Sequence, residues 1–171
     1  MENMKYSEII NDQTNRALWE VNNIIYCVPD TLWERCYCDM PLWKHVYHML
    51  HSLDQWYINP RVYTQPSFHT ENLNNLDVCT SKTLTREEIN DYFLSVNNKI
   101  IEYTDSLTDD MLLNKPEGCE WTRFTLILAQ HRHLHTHMGM IMGFIVEATG
   151  MWPQVVGLEH PIPDGELGIF A

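Results

Sequence analysis

The segment TRFTLILAQHRHLHTHMGMIMGFIVEA, residues 122–148, carries apolar side chains at helical spacing together with four of the protein's nine histidines. Phe124, Ile127, Leu128, Leu134, Met138, Ile141, Met142 and Ile145 recur three or four apart, the signature of one apolar face on a long helix. Thr122 opens the segment, and Gly150 is a natural stop beyond it. Residues four apart on a helix lie only about 40° apart around its axis. His131 with His135, and His133 with His137, therefore form two H-x-x-x-H pairs. Such a pair aims two imidazoles at one point, which suits two ligands of a tetrahedral or octahedral cation. His131 and His135 fall inside the apolar stripe. His133 and His137 share a second face with Leu126, Gln130, Met140 and Phe144. Spacing leaves the choice between the pairs open.

A third ligand must come from another element, and residues 42–59, LWKHVYHMLHSLDQWYIN, offer His45, His48 and His51. The expected helix here starts near Asp39, a possible cap, with Pro41 in its first turn, and stops before Pro60. His45 lies nearer the apolar stripe than His48, and periodicity does not choose between them. Another helix is expected from about Ser7 to Val28, ended by Pro29, with a short piece from Asp30 to Tyr37 after it. A further helix opens on Thr85-Arg86-Glu87-Glu88, a capping box, and runs to about Leu107. Strand signals are nearly absent.

These segments predict an all-α protein, a four-helix bundle with short first and third joints. Residues 61–83 form a long crossover between helices 2 and 3, which lets the third helix run parallel to the second. The tail from Met151 to Ala171, with Pro153, Pro161 and Pro163, reads as irregular structure packed on the bundle. Residues 1–171 form one domain.

Composition agrees. With 44% hydrophobic and 20% charged residues over 171 positions, the chain can bury one core and is not a disordered tail. A formal charge of −12 opposes phosphate backbones and anionic lipid, so nucleic acid and membrane surfaces are poor partners. MENMKYSEII has neither a basic n-region nor an apolar h-region, so no signal peptide is expected. The longest uncharged apolar stretch, Met138 to Val146, falls far short of the roughly 20 residues that span a bilayer. Five cysteines, an odd number with no C-x-x-C, fit a reducing cytosol and a cytoplasmic protein. Cys36 and Cys38 are a candidate redox pair, against the plainer reading of two idle turn thiols.

A single histidine on an apolar face is usually a hydrogen-bonded core residue. Here seven in two clusters would all have to be so. A surface pH sensor is the other plain reading, since imidazole titrates near neutrality.

The two histidine segments resemble those of the DinB/YfiT-like superfamily of metal-binding four-helix bundles. Residues 43–56, WKHVYHMLHSLDQW, resemble the family's histidine helix, in which an aromatic follows the ligand by about two turns. That register puts the ligand on His48 and the aromatic on Trp56. Residues 133–141, HLHTHMGMI, resemble the family's H-x-x-x-H followed by a basic residue, Gly, Gln and Ile. Gly139 fixes that register and assigns the pair to His133 and His137. Met138 and Met140 stand where the family often has Arg and Gln. The resemblance implies an up-down-down-up bundle and a three-histidine divalent metal site, zinc or nickel most often, with open positions. It also implies frequent homodimers, and transferases or isomerases that use low-molecular-weight thiols.

Three neutral imidazoles leave a divalent ion its full charge, the logic of a catalytic rather than a closed structural site. The expectation is a metal-dependent enzyme, of thiol-dependent transferase or hydrolase class, acting on a small molecule. The alternative is a non-catalytic metal- or ligand-binding bundle. Asp54 and Glu120 are the candidate general bases. Trp43, Tyr47, Trp56 and Tyr57 either wall a pocket or pack in the core or a dimer. Met138, Met140 and Met142 are candidate thioether ligands or core filler.

Overall fold

The structure, a computed structural model, describes residues 5–170. The chain is mostly helical. Four long helices pack on one another: α1 (Tyr6–Cys27), α2 (Leu42–Trp56), α3 (Arg86–Ser106) and α5 (Arg123–Thr149), with a four-residue α4 (Asp109–Leu112) between the last two. α2 packs against α3 and α5, and α1 against the same two. Their shared core includes Val21, Ile24, Val46, Leu50, Ile89, Ile100, Ile127 and Ile141. Burying each such side chain favours folding by about 1.5–3 kcal/mol.

Helix ends follow from capping. In α3 the Thr85 hydroxyl accepts the Glu88 N–H at 3.2 Å and Glu88 accepts the Thr85 N–H at 2.8 Å, the expected capping box. In α5 the Thr122 hydroxyl accepts the Thr125 N–H at 3.1 Å, and Gly150 ends the helix at φ 72°, a left-handed conformation that suits glycine. α1 is capped from far along the chain. The Asp109 carboxylate accepts the Ser7 N–H at 2.8 Å and the Tyr6 N–H at 3.2 Å.

Two expectations need correction. Ahead of α2 the chain makes a small hairpin, β1 (Cys36–Tyr37) with β2 (Met40–Pro41). Cys38 and Asp39 both have positive φ, 49° and 66°, as a type I′ turn requires. Asp39 therefore shapes a turn and does not cap α2, whose N-cap is Pro41. Strands of two residues are too short to leave an alternating pattern, and Cys-Asp lacks the glycine that marks such turns. On α5, Leu128 is 51% exposed, and the buried face is Leu126, Ile127, Gln130, Leu134, Met138, Ile141 and Ile145.

The crossover between α2 and α3 is laid back along α2. Val78 O accepts from Lys44 Nζ, Asn74 O from His48 Nδ1 at 2.7 Å, His69 Nδ1 pairs with Tyr47 OH at 2.7 Å, and Gln65 Oε1 accepts from His51 Nε2 at 2.7 Å. From Lys44 through His48 to His51 the partners step back from Val78 through Asn74 to Gln65, so the crossover returns antiparallel to α2, with His69 reaching Tyr47 from a bend in it. Positions 44, 47, 48 and 51 are one stripe of a helix. This is how a buried helix keeps a lysine, a tyrosine hydroxyl and two histidines: the crossover supplies their partners.

The tail is anchored by Asn23 of α1, fully buried. Its carboxamide nitrogen donates to Gln154 O and Gly168 O at 2.9 and 2.8 Å, and its oxygen accepts the Gly168 N–H. No helix among the described residues is long and apolar enough to cross a membrane.

Candidate metal centre

α5 presents His133 and His137 on the flank that meets α2, and α2 presents His48 to them. Ring centroids are 4.4 Å apart for His133–His137, 4.6 Å for His48–His137 and 5.4 Å for His48–His133. The Nε2 atoms of His133 and His137 are 3.1 Å apart. Two imidazoles bound to one ion at about 2.0–2.1 Å hold their nitrogens about 2.8–3.4 Å apart at octahedral to tetrahedral angles. The helical pair already has that spacing. One candidate ligand atom from each of the three rings lies within 4.8 Å of the others.

Hydrogen bonding sets the tautomer of His48. A carbonyl only accepts, so the 2.7 Å contact with Asn74 O puts the proton on Nδ1 and a lone pair on Nε2. Metal-binding histidines are commonly oriented in this way by a carbonyl on the far nitrogen. His45 has the opposite arrangement: its Nε2 donates to Tyr37 O at 2.8 Å, and the side chain is 1% exposed. It ties the hairpin to α2, with Phe144 edge-on against its ring. His51 is turned to Gln65 and stacks on His69. His131 faces Thr14 of α1 at 3.1 Å, and His135 is exposed, donating to His131 O. Of the histidines that spacing left open, the structure groups His48, His133 and His137.

The three rings are half-buried. Burial, and then the neighbouring His48, lowers the pKa of His133. Burial, with the rings of His133, His48 and His45 after it, pushes His137 down to about 4. Both are thus neutral near pH 7, the form that offers a lone pair to a cation. The Nδ1 atoms of His133 and His137 are buried and have no hydrogen-bond partner among the described residues. The donor set is thus three nitrogens, a set that suits zinc, nickel, copper or iron better than magnesium or calcium.

Neither candidate base reaches this site. The Asp54 carboxylate accepts from Tyr92 OH at 2.9 Å and pairs with Lys99. Six residues after His48, it lies about 120° away around α2. Glu120 is exposed in the turn before α5. The cluster holds no carboxylate or thiol. Trp43, Tyr47 and Tyr57 are buried to 2%, 0% and 1% exposure, so they are core and not pocket wall. Trp56 alone of the four stays half-open, edge-on to Trp121 at 5.9 Å. Met138 packs in the core. Cys36 on β1 and Cys38 in the hairpin turn are exposed free thiols.

Periodicity set Gln130 on the His133 face but missed Ser52, its partner beside the triad. Ser52 donates to Gln130 Oε1 at 3.4 Å, one turn along α2 from His48 and about one turn before His133 on α5. The i+4 spacing of Ser52 from His48 was the available signal. Compared with family models, curated proteins and solved structures, the chain shows no significant match to any of them.

Proposed function

We propose that His48, His133 and His137 hold one divalent transition-metal ion, and that the protein is a metal-dependent enzyme acting on a small molecule. The observation that carries this is the pairing of two Nε2 atoms 3.1 Å apart with a third ring whose proton is fixed on its far nitrogen. The reading includes an up-down-down-up four-helix bundle of the DinB/YfiT-like type, supported by the two histidine segments. On that reading zinc or nickel is the native metal, a low-molecular-weight thiol the co-substrate, and a homodimer the assembly. A bound divalent ion with three neutral protein ligands supplies Lewis acidity at its remaining positions. The chain's own residues fix the rings: Asn74 O orients His48, and helix geometry sets His133 against His137.

One observation favours a second reading, a non-catalytic metal-binding bundle: no carboxylate stands in the cluster to move a proton. Elemental analysis of purified protein, followed by cobalt substitution, separates the possibilities. One ion per chain, lost in His133→Ala and His137→Ala, supports the site. Exchangeable solvent on the cobalt and turnover in thiol-transfer or hydrolase screens support the enzyme; a saturated ion and no turnover support the second reading. Protein that takes up no stoichiometric metal overturns both.

A further inference from the structure

α2 is buried on every side except one stripe. Only His48, Ser52, Gln55 and Trp56 are half-open along its length. The stripe begins at the candidate metal ligand and faces α5. One turn on, Ser52 meets Gln130, which is 7% exposed, and two turns on, Trp56 meets Trp121, which is 40% exposed. The Ser52–Gln130 pair has spare hydrogen-bonding capacity. The Gln130 carboxamide nitrogen and the Ser52 oxygen lone pairs have no protein partner among the described residues. The two indoles meet at 64°, forming a corner with an open aromatic face.

We propose that this seam is the substrate groove of the metal centre, selecting a small molecule with three features in line. These are an anionic metal-binding head, a hydrogen-bonding group about 6 Å from it and a flat ring about 12 Å from it, the rises of four and eight helical residues. Ser52 and Gln130 are the specificity residues for the middle group. Trp56 and Trp121 are those for the ring, by edge and face contact. The opposite end of the seam is closed by Phe144, stacked on Tyr37 at 4.1 Å and packed against His45, so an extended ligand has one direction to take.

The inference rests on the metal reading, and the test separates the two. Cobalt-loaded protein is titrated with acetohydroxamate, which has the head alone, and with N-benzyl-N′-hydroxysuccinamide, which adds an amide and a phenyl ring at the two distances. Cobalt absorption reports the metal, and calorimetry reports affinity. The longer probe is expected to bind at least about tenfold more tightly, from one aromatic contact and one hydrogen bond. Trp56→Ala and, independently, the milder Ser52→Ala should each erase part of that advantage while leaving acetohydroxamate affinity and the cobalt spectrum unchanged. Equal affinity for the two probes, or an advantage indifferent to both substitutions, overturns the groove and leaves the metal site standing. Protein that binds no cobalt overturns the metal site and the groove with it.

Discussion

His48 donates its Nδ1 proton to the carbonyl of Asn74 at 2.7 Å, so a residue of the crossover decides which nitrogen of the ring keeps its lone pair. His45, one turn earlier, is fixed by Tyr37 O in the opposite tautomer. Two histidines on one helix are thereby given different work by two backbone carbonyls.

Substitution of the three grouped rings should separate them from the other histidines. His48→Ala, His133→Ala and His137→Ala should each weaken metal affinity by more than about 100-fold, since even outer-sphere changes cost about 10–100-fold. His51→Ala and His135→Ala should keep one ion per chain. Metal titration of the five variants is the measurement, and unchanged affinity in His48→Ala would show that α2 supplies a different ligand.

Acid should destabilise the metal-free protein before the carboxylates titrate. Burial holds His51, His131 and His137 down at about 4, against 6.5 when free. Between those values the unfolded chain binds more protons than the folded one. Unfolding free energy therefore rises with pH through that window, and stability is lost as pH falls from 6.5 toward 4. Urea midpoints from pH 7 to pH 4 should decline steadily, and His131→Gln should flatten part of the decline. A flat profile above pH 4 would contradict the burial of these rings.

Asp54 should matter to stability and not to metal. Its carboxylate holds the Tyr92 hydroxyl and the half-exposed Lys99 ammonium. Asp54→Ala should cost about 2–3 kcal/mol by leaving the buried hydroxyl unpaired, with the exposed lysine adding little. Denaturation and metal titration of this variant should give a lower midpoint with an unaltered ion count. Loss of the ion would place the carboxylate in the site after all.

Asp109→Ala should lower the melting temperature by removing the acceptor for two N–H groups at the start of α1. Those bonds hold the Asp109 carboxyl below its usual pKa. The contribution is therefore present above the ordinary carboxylate range and lost as pH falls through the lowered value. Amide exchange of Ser7, measured in wild type and variant, should rise in the variant; equal exchange would show that the cap holds nothing.

Helices were readable where capping and periodicity coincided. Thr85 with Glu88, and Thr122 with Gly150, mark ends that the structure reproduces within a residue. The hairpin was not readable, because two-residue strands carry no period and Cys38-Asp39 reaches positive φ without glycine. On α5 the apolar count misplaced Leu128 and His135, both exposed, while His131 does turn inward to Thr14 of α1. The grouping of His48 with His133 and His137 came through resemblance, which read Gly139 as a register mark. Spacing alone could not reach it, because the fate of each α2 histidine depends on which carbonyl of the crossover meets it, and that is a tertiary fact.

The backward lay of the crossover also implies an order of assembly. Its contacts with α2 join residues 14 to 34 positions apart, loops that close at small entropic cost. α5 arrives later in the chain, after α3 and α4. The α2–crossover hairpin is therefore the natural early unit, with His48 already oriented in it, and docking of α5 brings His133 and His137 to that ring. A cation captured at that seam would act as the clasp on the last piece to close, so a chelator should loosen α5 while the first-formed half stays shut.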